Sequence, residues 1–203
     1  MDEYQGKRVR KDPVAEAQTA LRKSHPVKWF IKEWGGVIAL LAAIFILGRV
    51  VFQIAVVPSG SMEPTIPTKT LQICWRLPYV LSDPTPQRGD VLTFWSEEHN
   101  EIMVKRVIGL PGETVSFLDG YTYINGVKLD EPYLPSQGIT VSDSAFEVPE
   151  GCIFFMGDNR TGSWDARFWG NPYISYHDVQ ARVLLTISIG SGHSWTGIRI
   201  MNR

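Results

Sequence analysis

Ile102-Met103-Val104-Lys105-Arg106-Val107-Ile108 is an apolar run with two adjacent cations at its centre, and its folding decides the rest of the chain. Read as a strand, it places Lys105 on one face with Met103 and Val107, and Val104 and Arg106 on the other. Similar short runs surround it: Val91-Leu92-Thr93-Phe94-Trp95, Thr114-Val115-Ser116-Phe117-Leu118, Tyr121-Thr122-Tyr123-Ile124, Ile153-Phe154-Phe155-Met156 and Val183-Leu184-Leu185-Thr186-Ile187. Asn125-Gly126, directly after Ile124, has the residue types that a two-residue hairpin turn requires. The Pro-rich stretch from Ser82 to Pro86 marks a loop, and no internal repeat is visible. No interval after Pro58 carries a long amphipathic helix. The expectation for 58–203 is an antiparallel, mostly β domain.

Upstream the pattern changes. Gly35 through Gly48 is an uncharged stretch of about 14 residues, too short to cross a hydrocarbon core of about 30 Å. Extended through Arg49 and Gln53 to Val57, the apolar stretch reaches about 23 residues, which is long enough if Arg49 snorkels toward a headgroup layer. A cleaved leader would place its apolar core closer to the N-terminus and follow it with small residues; here Pro58 follows. The other alternative is a helix buried in a core. The favoured reading is one transmembrane helix over 35–57. Lys7, Arg8, Arg10, Lys11, Arg22, Lys23, Lys28 and Lys32 precede it, whereas only Lys69 and Arg76 follow closely. The positive-inside rule then makes the protein single-pass, with residues 1–34 a cytoplasmic polar tail and 58–203 extracytoplasmic. Trp29, Phe30 and Trp34 sit at the expected interfacial belt. Val14 to Leu21 has some helical character, but the tail lacks the apolar surface to fold alone, so a fraying segment is expected.

Composition excludes several classes. Of 203 residues, 44% are apolar and 20% charged, enough to build a core, and a net charge of −1 provides no electrostatic footprint for a nucleic acid. His25, His99, His177 and His193 stand apart, with no HExxH and no CxxC, so neither metal nor cofactor is expected. Cys74 and Cys152 leave two readings: one bridge, or the blander one of two buried thiols.

Three segments carry the chemistry. Pro58-Ser59-Gly60-Ser61-Met62-Glu63-Pro64-Thr65 combines fixed and permissive backbone positions, and such a rigid loop can expose one hydroxyl and aim nearby N–H groups at one point. Alone it reads as an ordinary turn. A serine hydroxyl is a weak nucleophile without a base, and lysine can serve as that base. Lys105, among apolar neighbours, would be desolvated and biased toward its neutral form; the competing reading is a solvated lysine on an edge strand. Gly157-Asp158-Asn159-Arg160-Thr161-Gly162-Ser163-Trp164-Asp165-Ala166-Arg167-Phe168-Trp169-Gly170 is dense in turn formers and charges. Pairing of Asp158 or Asp165 with Arg160 or Arg167 would order it.

Together these segments resemble the type I signal peptidases, the bacterial leader peptidases. Pro58 to Ile66 resembles the family's nucleophile box, Arg88-Gly89-Asp90-Val91-Leu92-Thr93-Phe94 its RGDV strand, Val104 to Glu113 its lysine box, and Gly157 to Gly170 its GDNR loop. Tyr123-Ile124-Asn125-Gly126 and Glu131-Pro132-Tyr133-Leu134 fit more weakly. The resemblance spans roughly residues 35–190 and implies Ser61 as nucleophile and Lys105 as general base. It further implies that Ser163 orients the lysine, that Ser59 with the Ser61 N–H forms the oxyanion hole, and that Asp158, Arg160, Asp165 and Arg167 support the loop. The implied enzyme is a membrane-bound serine endopeptidase of the plasma or inner membrane. It acts through an acyl-enzyme on secretory preproteins with small residues at the first and third positions before the cut. Its partners are then those preproteins and the lipid bilayer, with no nucleic acid.

The chain departs from the family pattern at Thr161, Gly162 and Ala166, and Ile66 to Thr70 lacks the common Gly-Asp turn; Ser188 to Arg203 matches nothing in it. Two other functions fit parts of the sequence. A self-cleaving Ser–Lys regulator would normally carry a DNA-binding helical module where this chain has its apolar segment, and a tethered, non-enzymatic β-domain would not need both Ser61 and Lys105.

Overall fold

The computed structural model describes residues 13–82, 85–188 and 197–201; the cations at Lys7, Arg8, Arg10 and Lys11 and part of the Ser82–Pro86 loop lie outside them. Contacts divide the chain into two units, Met1–Gly48 and Arg49–Arg203. In the first, the described part of the expected fraying tail begins with helix α1, Pro13–Ser24. Proline suits the first helical position because its missing N–H would be unpaired there anyway, and Glu16 in the first turn favours the helix dipole.

Helix α2 runs Pro26–Val51, with a mean hydropathy of 2.2 over its most apolar 18 residues and no buried side chain. Its 26 residues extend about 39 Å, more than a hydrocarbon core requires. The bounds differ from the expected 35–57 at both ends. Lys28, Lys32 and Glu33 limit the apolar stretch, but such side chains are good helix formers and do not stop the helix. At the other end Phe52–Val56 is strand β1, because an apolar run by itself does not separate helix from strand and a ladder partner is available. That partner is β2, Thr70–Trp75, which pairs antiparallel from Phe52 opposite Trp75 to Val56 opposite Leu71.

The second unit continues with a one-turn helix α3 (Leu77–Leu81), β3 (Val91–Ser96), β4 (Glu101–Gly109), β5 (Thr114–Leu118), β6 (Tyr121–Ile124), β7 (Val127–Lys128), β8 (Phe146–Glu147), β9 (Cys152–Met156), β10 (Tyr173–Ser175), β11 (Val179–Ser188) and β12 (Gly197–Ile200). The larger sheet has the order β1-β2-β11-β3-β4-β9-β10, with β12 also on β11; the smaller has the order β7-β6-β5-β8. All these pairings are antiparallel. Five of the six expected strands form within one residue of their expected ends, and the sixth, 183–187, begins four residues earlier, at Val179. Asn125 and Gly126 have φ of 51° and 79°, the pair of positive values that joins β6 to β7 tightly.

Two clusters of buried residues hold the domain. One includes Phe94 stacked on Phe155 at 4.3 Å between centroids, Ile108, Phe154 and Trp169, together with Val115 and Ile124 of the smaller sheet. The other joins Val57, Met62, Ile66, Cys74, Val91, Ala181 and Val183. Met62 and Ile66 lie one helical turn apart, with Ile66 N donating to Met62 O at 2.8 Å, so the segment after Ser61 is pinned by two wholly buried side chains. Each contributes about 1.5–3 kcal/mol by leaving water. Cys74 and Cys152 are free thiols rather than a bridge, and burial pushes the Cys74 thiol up to about 12.

Gly109 lies at the junction of the two sheets, where a Cβ would come 2.6 Å from Val115 Cγ2 and 3.0 Å from Phe154 Cβ. We expect Gly109→Ala to destabilise the domain by about 1–3 kcal/mol through overpacking. Urea unfolding should show this as a lower midpoint at unchanged slope.

Candidate active site

The loop after β1 reaches Ser61 held from several directions. Glu63 N donates to Gly60 O at 3.1 Å, and Thr68 N donates to the Glu63 carboxylate at 3.2 Å. Asn159 lies across the loop, its N–H on Ser61 O at 3.1 Å and its side-chain amide on Gly60 O at 3.0 Å. The Ser61 side chain is left facing β4. There Lys105 Nζ donates to Ser61 Oγ at 2.7 Å, with Lys105 only 3% exposed.

Lys105 is not on an edge. β4 has β3 on one side, with Leu92 opposite Lys105, and β9 on the other. The solvated edge lysine is therefore excluded. Burial pushes its amine down to about 8, against the opposing pull of Asp165, Glu101 and Asp158, with Arg167 acting in the same direction as burial. Desolvation penalises the ammonium and leaves an amine able to accept a proton near neutrality.

Ser59 stands beside Ser61 with its hydroxyl oxygen 3.5 Å from Ser61 Oγ, beyond the usual length of a hydroxyl hydrogen bond. Ser163 is buried, yet among the described residues its Oγ has no hydrogen-bond partner, so the expected bond to Lys105 is not formed. A Cβ on Gly157 would lie 2.2 Å from Ser163 Oγ and 2.3 Å from Ser61 O, so the serine sits against the bare Cα of Gly157 beside the nucleophile loop, while the lysine amine is bonded to Ser61.

The charged residues of the Gly157–Gly170 loop are all buried in pairs, in part with unexpected partners. Asp165 takes Arg167 Nε at 2.8 Å and Nη2 at 2.9 Å and also accepts Gly157 N at 2.9 Å, as the loop's composition predicted. Asp158 instead pairs with Arg106 of β4, which donates to both its carboxylate oxygens at 2.8 and 2.6 Å. Arg160 pairs with Glu131 and donates to Thr140 Oγ1 at 2.8 Å and Thr122 Oγ1 at 3.2 Å. The contributions of Arg106, Asn159 and Glu131 were not read from the sequence. Each lies in a stretch that stood out there, but their partners are distant in the chain. The departures acquire reasons too: Ala166 belongs to the buried core, and a Cβ on Gly162 would meet the Asn159 amide at 2.7 Å.

A serine hydroxyl bonded to a buried amine, on a loop held beside a paired-ion scaffold, is an arrangement compatible with a serine hydrolase. Sequence comparison narrows this class. The family profile described as signal peptidase, peptidase S26, matches residues 31–187. A signal peptidase I from Bacillus caldolyticus is 36% identical over 146 residues, covering 66% of this chain and 78% of the relative. One from Leptolyngbya laminosa is 32% identical over 183 residues, covering 85% of each chain. A solved signal peptidase I from Enterococcus faecalis V583 shares 38% identity over 49% of this chain and 97% of its own, with a TM-score of 0.42. The chain belongs to the signal peptidase family, peptidase S26.

The buried amine has a thermodynamic consequence. With a folded pKa of about 8 against about 10.4 when unfolded, Lys105 binds fewer protons in the folded state between those values, so stability rises with pH across that window. Below it the full desolvation penalty acts. We expect Lys105→Met to unfold at higher denaturant than wild type at pH 7, with the difference narrowing from pH 8 to pH 10 as followed by chemical denaturation.

Proposed function

We propose that this chain is a signal peptidase I, a membrane-held serine endopeptidase that removes N-terminal signal peptides from exported preproteins, with Ser61 as nucleophile and Lys105 as general base. The observation that carries this reading is the 2.7 Å contact between Ser61 Oγ and the buried Lys105 Nζ. The relatives' shared name, signal peptidase I, supports the substrate class.

In this mechanism neutral Lys105 takes the proton of Ser61 as its Oγ attacks the scissile carbonyl carbon. The resulting oxyanion is met by the Ser61 N–H and, after a small side-chain rotation, the Ser59 hydroxyl. Collapse breaks the C–N bond, and the Lys105 ammonium returns its proton to the departing amine of the mature protein. Water, deprotonated by Lys105, then attacks the Ser61 ester and frees the signal peptide. With a pKa of about 8, roughly a tenth of Lys105 is neutral at pH 7, a usable fraction for a base. Ser163, without a partner of its own, is available to hold the ammonium once Ser61 has been acylated. Arg106–Asp158 ties the lysine strand to the loop, and Arg167–Asp165 orders the loop itself.

The preprotein binds extended, with small side chains at the first and third positions before the cut, where shallow pockets exclude larger groups sterically. β1, at an edge of the larger sheet and leading straight into the Ser61 loop, provides the backbone groups on which such a segment can add. Helix α2 spans the membrane, with the lysine-bearing N-terminal side cytoplasmic and the β domain outside. Tethering brings enzyme and membrane-inserted substrate together in two dimensions.

In detergent, the full chain should cleave a preprotein-like peptide after Ala-x-Ala, and Ser61→Ala and Lys105→Ala should each abolish cleavage. Retention of full activity by either variant would refute the mechanism. The wild-type kcat/KM should rise with pH on an acid limb centred near 8, the region where Lys105 loses its proton.

A further inference from the structure

The family profile ends at residue 187, but the fold does not. β12 lies along the part of β11 that β3 leaves uncovered: β3 pairs with Val179 to Arg182, and β12 with Leu185 to Ser188. From β12, Arg199 reaches the nucleophile loop. Its Nη1 donates to Pro64 O at 2.9 Å and to Thr65 O at 3.0 Å, so its two N–H groups serve consecutive carbonyls shortly after Ser61. The next turn of chain is anchored independently. Met201 N donates to Leu184 O at 2.8 Å, and its side chain packs on the cluster containing Met62 and Ile66.

We propose that Arg199 is a positioning residue for the nucleophile: the C-terminal strand braces the Ser61 loop at Pro64–Thr65, beyond the Gly60–Ser61 stretch held by Asn159. Burial of Met62 and Ile66 limits how deep the loop sits, and Asn159 restrains its Gly60–Ser61 carbonyls. Arg199 restrains the Pro64–Thr65 carbonyls beyond them. A guanidinium suits this role because its rigid fork of donors can serve two consecutive carbonyls at once. Displacement of a reacting group by about 1 Å can cost up to about a hundredfold in rate, so a brace of the Ser61 loop acts on turnover without touching substrate.

This inference rests on Ser61 being the nucleophile, and the test separates the two claims. Full-length wild type, Arg199→Met, Arg199→Lys and Ser61→Ala are compared in detergent, well below their unfolding temperatures, on a preprotein-like peptide across pH. Methionine keeps much of the aliphatic stem and removes the donors; lysine restores donors. Arg199→Met should lose about tenfold in kcat with KM and the acid-limb pH unchanged, and Arg199→Lys should recover most of that loss. A kcat within twofold of wild type for Arg199→Met would overturn the brace, as would a loss fully accounted for by a smaller folded fraction, or a moved acid limb. Cleavage by Ser61→Ala would instead remove the nucleophile reading on which the brace depends.

Discussion

Holding an amine out of water while keeping it aimed at one hydroxyl is the constraint around which this domain is organised. Lys105 loses solvation on burial and, among the described residues, regains one hydrogen bond, to Ser61, so its surroundings must supply position without restoring its charge. An interior strand does the first part. β4 is hydrogen-bonded on both flanks, which fixes the lysine Cα more firmly than an edge or a loop would. The Ser61 loop does the second, pinned from below by Met62 and Ile66 and laterally by Asn159.

The charged loop answers a related difficulty. Asp158 and Asp165 both favour a protonated Lys105 and raise the pKa that burial lowers. Each is bound bidentately by an arginine, Arg106 and Arg167, which satisfies its lone pairs, and Arg167 also pulls the Lys105 pKa down. Buried ion pairs of this kind contribute little net stability, but losing one partner costs about 3–5 kcal/mol. Their role here is to hold one loop arrangement, near neutral overall, against the catalytic strand.

The run Ile102–Ile108 was legible because its second half, Lys105 to Ile108, is buried on both faces of a strand and its exposed start, Ile102, is apolar as well, and the hairpin at Asn125-Gly126 because positive φ restricts residue choice. The apolar stretch ending at Val57 was half legible. Its membrane-compatible length could be counted, but its division into helix and strand depends on β2, which lies beyond the intervening loop. Ser61 and Lys105 were named from motif order, and the structure brings their side chains together. The ion-pair partners were not foreseeable in the same way. Asp158 has arginines nearby in sequence, yet takes Arg106, 52 positions away, because the fold rather than the loop determines which guanidinium arrives. Ser163 shows the opposite case, a residue whose position was anticipated and whose hydrogen bond is missing from this arrangement. The Arg199 brace could not be read at all, since the Pro64 and Thr65 groups it binds are main-chain carbonyls and carry no side-chain signature.

At Gly157 three stretches of chain meet: the carbonyl of Ser61, the hydroxyl of Ser163 and the glycine's own backbone, in a space that does not admit one more carbon. The latitude for natural variation around the site is therefore uneven. Exposed positions such as Thr161 and Trp164, a few residues along the same loop, have solvent to grow into and can drift. At Gly157 the smallest possible side-chain change becomes a displacement of the nucleophile itself. A lineage altering this peptidase thus has freedom at the rim of the loop and almost none at its root.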